Sequence, residues 1–211
     1  MDYFRNVFLL IGAAFLIAGC NPHKKLEKYS EIKALFGTQI RIEVCTEHKK
    51  IKELPARLEK VWKSLEIMSQ GVGTGMDESV KLLHQNGIKN FMVDAVGNMY
   101  ADGVNCQGNN WRIGLKDPRD QIKIFDVVLL SNQAVATTVG QNLIKTVTVI
   151  APTNKEALAL AKSISTLNVE EGAKIIESKG EKYAGLIIYS DSEGKQVRIK
   201  SKNYSEYQIK Y

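Results

Sequence analysis

The sequence predicts an α+β fold, a single domain with a mostly antiparallel sheet and packed helices. Three observations carry this: strand and helix patterns are mixed along the chain, several strands are joined by short turn sequences, and the length suits one core. Of 211 residues, 192 remain after cleavage of a leader before Cys20, enough for one sizeable core and too few for two ordinary domains. Hydrophobic residues at 44%, charged residues at 25%, 16 Gly and 4 Pro exclude disordered, collagen-like and low-complexity classes. A net charge of +6 favours anionic partners. A phosphate-bearing ligand, an anionic bilayer and nucleic acid satisfy that preference equally.

The first element is a leader. Residues 7–19 form an apolar run preceded by Arg5 and closed by small residues, the layout of a secretory signal and short for a membrane span. Ile17-Ala18-Gly19-Cys20 resembles a bacterial lipobox, after which Cys20 is diacylated, the leader is removed and the new amino terminus is acylated. Several acyl chains anchor stably where one is marginal. The expected organisation is a lipoprotein signal peptide at 1–19, a lipidated Cys and tether at 20–33, and the folded domain at 34–211. The expected location is the cell envelope, lipid-anchored through Cys20 to a membrane on its periplasmic or extracellular side. No nucleic-acid partner is expected. Cys45 and Cys106 remain in a compartment that permits disulfides, as one bridge or as two structural thiols. His23, His48 and His84 show no zinc spacing.

The domain opens with Phe36-Gly37-Thr38 through Val44, whose alternation after the glycine predicts an amphipathic strand. Ile51, Leu54, Leu58, Val61, Trp62, Leu65 and Met68 recur at three- and four-residue steps and predict a helix, with Pro55 near its first turn and Trp62 in the core. Glycines 71, 73 and 75 break the pattern before a second helix from Asp77. Thr74 and Asp77 are spaced as a capping box and Gly87 is the stop. Phe91–Ala95 and Met99–Ala101 flank a hairpin turn at Val96-Gly97-Asn98. Trp111–Leu115 and Ile122–Leu130 supply strands around Lys116-Asp117-Pro118, and Lys145–Ala151 another. Thr153 and Glu156 open an Ala-rich helix, and Val169–Ser178 forms one more. The chain ends on a hairpin of Tyr183–Ser190 and Lys195–Lys200.

Gly71-Val72-Gly73-Thr74-Gly75, ahead of a helix, concentrates backbone amides of the kind that hold phosphate. It has neither the Lys-Ser/Thr of a Walker loop nor dinucleotide-fold spacing, so a plain connection is the favoured reading. No nucleophile and base pair and no histidine pair stands out, so no catalytic residue is assigned.

Four local matches, in order, resemble the ApbE-type FAD:protein FMN transferases. Phe36-Gly37-Thr38 is similar to the family's Met-Gly-Thr strand. Met76-Asp77, Gly87-Ile88-Lys89-Asn90 and Val93 through Asn98 resemble its Val-Asp helix, Gly-Ile/Val-x-Asn turn and Gly-Gly-Asp segment. Trp111-Arg112-Ile113-Gly114-Leu115-Lys116-Asp117-Pro118 is close to Trp-x-Val-Gly-Ile-x-x-Pro. Ala134-Val135-Ala136-Thr137-Thr138 resembles Ala-Leu-Ala-Thr-Ser, and Val147 through Pro152 resembles the strand that leads into the family's metal helix. The resemblance implies FAD as ligand, magnesium as the metal, and a flavin-accepting envelope protein as partner. The candidate cofactor-binding residues are Gly71, Gly73, Thr74, Asp77, Thr137, Thr138 and Lys162.

The departures fall on the chemistry. The family's Asp and Thr, one helical turn apart after the Val-Thr-Val strand, help hold the divalent ion on the FAD diphosphate. Here those positions are Leu158 and Lys162. Leu offers a hard cation no ligand and a Lys ammonium only donates, so the magnesium site is expected to be absent. An ammonium at Lys162 is instead suited to contact the diphosphate as a point charge, or else lies on the solvated face of its helix. The family's loop Lys falls on Val72, its Gly-Gly-Asp becomes Val96-Gly97-Asn98, and its His-Ile-Ile-Asp-Pro segment is missing between Gly140 and Lys145, as is a long segment between Met68 and Gly71. The expected function is therefore an envelope lipoprotein of this family, a transferase of FMN to a protein Thr if active, impaired by loss of metal ligands. The alternative is a noncatalytic flavin-binding or accessory lipoprotein on the same scaffold.

Overall fold

The computed structural model of the chain describes residues 25–68, 75–117 and 120–209. The leader, Cys20, Gly71, Gly73 and Thr74 lie outside the described residues.

The fold begins before the expected boundary. Residues 26–33, read as tether, belong to strand β1 (Leu26–Leu35), which pairs antiparallel with β2 (Thr38–Glu47). A two-residue turn joins them at Phe36 and Gly37, whose φ angles of 54° and 72° match the right-handed twist of the flanking strands. The physical reason lies in side chains that look polar in sequence. Glu31 accepts hydrogen bonds from the Tyr29 hydroxyl at 2.6 Å and from Trp62 Nε1, so a charged strand is clamped to the helix above it. The same carboxylate, with some burial, pushes the Tyr29 hydroxyl up to about 12.

After the short helix α1 (His48–Ile51), helices α2 (Leu54–Met68) and α3 (Gly75–Gln85) lead to strands β3 (Phe91–Ala95) and β4 (Asn98–Asp102). Their hairpin turns at Val96 and Gly97 as expected, with φ of 49° and 88°. A separate hairpin, β5 (Trp111–Asp117) and β6 (Asp120–Leu130), precedes β7 (Gln133–Val139) and β8 (Ile144–Ala151). Helices α4 (Asn154–Ser165) and α5 (Val169–Ser178), strands β9 (Ala184–Ser190) and β10 (Gln196–Lys200) and a 3₁₀ turn (Lys202–Tyr207) complete the chain. The main sheet runs β1-β2-β3-β4-β7-β8-β9-β10 and its pairs are antiparallel. This is the predicted α+β architecture.

Strand alternation sends successive side chains to opposite faces of that sheet. Ile40, Ile42, Phe91, Val93, Val147 and Val149 meet the helices, with Leu58, Trp62, Leu83 and Ile164 above them. Cys45, Val135, Ile150, Leu186 and Ile188 meet the β5–β6 hairpin, with Trp111, Ile113, Val128 and Tyr204. Close approach is built in where α5 crosses β9: a Cβ on Gly185 would lie 2.2 Å from Ile176 Cδ1.

Cys45 and Cys106 form a disulfide that ties β2 to the loop between β4 and β5, across 61 residues of chain. Asn90 joins the same corner: its side-chain amide donates to Cys45 O at 3.3 Å and its Oδ1 accepts from Val104 N at 3.2 Å. Trp111 Nε1 donates to Asp102 O at 2.8 Å and starts the hairpin over the sheet. Closing a loop of this length restricts the unfolded chain and stabilises the domain by about 2–4 kcal/mol. Reduction, or Cys106→Ser, is expected to lower urea stability by that amount, read by circular dichroism. An unchanged midpoint would show that the bridge contributes nothing.

Candidate functional site

Helix α4 is the centre of the candidate site, and its sequence explains its position. Thr153 adopts extended backbone and its hydroxyl oxygen accepts from Glu156 N at 3.2 Å, while donating to the Glu156 carboxylate at 2.8 Å. This is the expected N-cap. Ala157 and Ala161 then face Ala134 and Ala136 in the helix-side core, and these small side chains let the helix lie close on β7 and β8. Tyr183 donates to the other Glu156 oxygen at 3.1 Å.

Thr74, the expected capping-box partner of Asp77, lies outside the described residues, and the contact that the structure shows for Asp77 is with a second helix. Asp77 sits in the first turn of α3, and its two carboxylate oxygens accept from Asn154 N at 2.8 Å and Lys155 N at 2.9 Å, the first two amides of α4. A carboxylate at a helix N-terminus answers both unpaired donors and the positive end of the dipole. With Thr153 holding Glu156 N, the first turn of α4 is closed by this chain's own oxygens. Anion binding there would have to displace Asp77. Below it, burial pushes the Tyr100 hydroxyl up to about 12, and the charges of Asp102 and Asp77 add to the effect.

Leu158 and Lys162, four residues apart, lie along one face of α4. Leu158 is half-buried against the helix-side core, whereas Lys162 is exposed. From Lys155 to Lys162 the axis rises by about 10 Å, so Asp77 and Lys162 attend different ends of the helix. Among the described residues, no three of His, Cys, Asp and Glu converge as a group able to hold a metal.

Thr137 and Thr138 do not act as a pair, because neighbours on a strand face opposite ways. Thr138 shares the helix-side face with Ala134 and Ala136. Thr137 shares the opposite face with Val135, and its hydroxyl is bonded to the Thr148 hydroxyl at 2.9 Å. Of the described candidates, Asp77, Thr138 and Lys162 therefore belong to the helix side and Thr137 to the hairpin side. Sequence reasoning missed one link. His84 Nε2 lies 3.0 Å from the Asp102 carboxylate and stands edge-on to Phe91, joining α3 to β4. No motif marks such a pair, since its members lie on different elements.

The ApbE family model matches residues 10–141. The FAD:protein FMN transferase of Salmonella typhimurium is 22% identical over 156 residues, covering 62% of this chain and 44% of that protein. The FAD:protein FMN transferase of Haemophilus influenzae is 24% identical over 212 residues, covering 86% of this chain and 60% of that protein. The matched chain thus spans about half the length of these curated relatives. Among solved structures, the flavin transferase ApbE from Vibrio cholerae superposes with a TM-score of 0.66 at 15% identity, covering 86% of this chain and 99% of that one. The Pseudomonas stutzeri flavinyl transferase ApbE, apo form, gives 0.67 at 14% identity, covering 87% and 96%. These similarities show the fold.

Removing the Asp77 carboxylate leaves two α4 amides without their acceptors. Asp77→Ala is expected to lower stability by about 1–2 kcal/mol in urea denaturation, and Asp77→Asn by less because one oxygen remains. Equal stability of all three proteins would show that the cap is dispensable.

Proposed function

Because this chain belongs to the ApbE family, we propose that it is a membrane-anchored envelope lipoprotein on the flavin-transferase scaffold in which transfer of FMN from FAD to a protein Thr is severely impaired. One observation carries this reading: the positions that the resemblance assigns to the metal-holding Asp and Thr are Leu158, packed against the core, and Lys162, exposed to solvent. A side chain without oxygen and an ammonium that only donates do not fit a hard divalent cation. Phosphoryl transfer from a diphosphate depends on offsetting the charge that develops there, and metal ions supply most of that.

The envelope location rests on the lipobox-like Ile17-Ala18-Gly19-Cys20 and is supported by the Cys45–Cys106 disulfide, which persists in oxidising compartments. A second reading, flavin binding without transfer, is favoured by Lys162 itself, an exposed cation one turn from Leu158. An ammonium there holds a diphosphate as a point charge without polarising it as a metal does. In both readings the partner is a flavin-accepting envelope protein.

The transfer reading is tested with a soluble form of the chain starting at Asn21, which contains every described element, incubated with FAD, magnesium and an FMN-acceptor domain. Intact mass of the acceptor is expected to show no FMN increment beside an active family member. A magnesium-dependent increment would overturn the assignment at Leu158 and Lys162. For the binding reading, Lys162→Glu is expected to weaken FAD retention about tenfold, equivalent to about 1.4 kcal/mol, with the thermal midpoint unchanged. Unaltered retention would remove Lys162 from the ligand.

A further inference from the structure

We infer that the end of the domain carrying the start of β1 is a bilayer-facing surface, with exposed lysines around one cleft meeting anionic phospholipid headgroups. The inference rests on the lipid-anchored reading of Cys20. Six residue steps lead from Cys20 to Leu26, the first residue of β1. Even fully extended, they reach about 20 Å. This end of the sheet is therefore held near the membrane whatever path the connection takes.

The register identifies what shares that end. Leu26 pairs with Glu47, where β2 passes into α1, and Val44 pairs with Phe91, two residues after Lys89. Cys45 N donates to Asn90 O at 2.9 Å and fixes the α3–β3 turn beside them. Between these segments lies a cleft of about 190 Å³, lined by Leu26, Glu47, Lys50, Arg57, Lys89 and Asn90 among others.

The charges around it are unbalanced. Of the carboxylates near this end, Glu47 lies 3.5 Å from Lys49 and Glu53 2.8 Å from Arg57, while Glu27 and Asp102 are held by the imidazoles of His48 at 2.7 Å and His84 at 3.0 Å. Lys50, Lys52 and Lys89 are exposed and form no ion pair among the described residues, and Lys25 is exposed just ahead of β1. Lysines within a Debye length of an anionic leaflet are attracted to it, each strengthening binding roughly fivefold. The anchor's position and the charge distribution therefore select the same face. A domain held this way is oriented as well as tethered, and it presents the opposite end of the sheet to the aqueous compartment.

Two measurements keep the anchoring reading and this inference apart. Intact mass of the full chain recovered from bacterial membranes reads acylation of Cys20. Flotation of the soluble chain starting at Asn21, which lacks the acylated residue, is compared on phosphatidylglycerol-containing vesicles and on pure phosphatidylcholine vesicles. Binding is expected only to the anionic vesicles, and Lys50→Glu/Lys89→Glu is expected to weaken it about tenfold or more with the thermal midpoint unchanged. Equal flotation on both lipids, or a variant that floats like its parent, would overturn the inference. Displacement by inorganic phosphate but not by chloride at matched ionic strength would also overturn it, in favour of a free-anion site in the cleft. An acylated Cys20 without anionic-lipid dependence sinks the inference alone. Anionic-lipid binding with an unacylated Cys20 sinks the anchoring reading and keeps the surface.

Discussion

The carboxylate of Asp77 spans the first turn of α4, and the helical layer is organised around that contact. It joins two helices far apart in sequence, one following α2 and the other following β8. Each helix also rests on the sheet through its own apolar stripe, but a stripe alone leaves a helix free to slide along the strands. Two charge-assisted hydrogen bonds to adjacent amides fix the axial position of α4, and the Thr153 hydroxyl holds its third amide, Glu156 N. Ala134, Ala136, Ala157 and Ala161 then allow a close approach that larger side chains would forbid.

That positioning decides which chemistry the face of α4 presents. A helix held in register on β7 and β8 offers whatever stands at Leu158 and Lys162 to the same region. With oxygen donors at those two positions, a helical turn's spacing brings them together on a cation. With a half-buried leucine and an exposed lysine, the same backbone presents one apolar patch and one positive charge. The scaffold is that of the ApbE family, and on the proposed reading the side chains at Leu158 and Lys162 separate it from a metal-dependent catalyst without altering the helix that carries them.

Much of this was legible from the residues. The hairpin at Val96-Gly97 and the returning pair at the C-terminus follow from turn chemistry, and the cap at Thr153 from its spacing to Glu156. The start of the fold was hidden because the half-buried positions of β1 include Glu31 and Lys33 while Ile32 is exposed, and Glu31 becomes a partly buried acceptor only once Trp62 and Tyr29 stand beside it. Strand β7 was legible only as a family-like segment, since its small side chains carry little strand signal of their own. The bond of Asp77 to α4 was not legible at all, because local spacing pairs it with Thr74 and the amide that donates to it belongs to a helix 77 residues later. Thr137 and Thr138 look like one motif in sequence and diverge in space by simple alternation.

On the proposed reading, the face of α4 at Leu158 and Lys162 does not hold a divalent cation. The most direct test is manganese titration in the presence of FAD, followed by electron paramagnetic resonance, on the parent and on Leu158→Asp/Lys162→Thr. The parent is expected to leave the manganese signal that of the free ion, while the double variant quenches it. A parent that binds manganese with FAD as tightly as the double variant would contradict that reading.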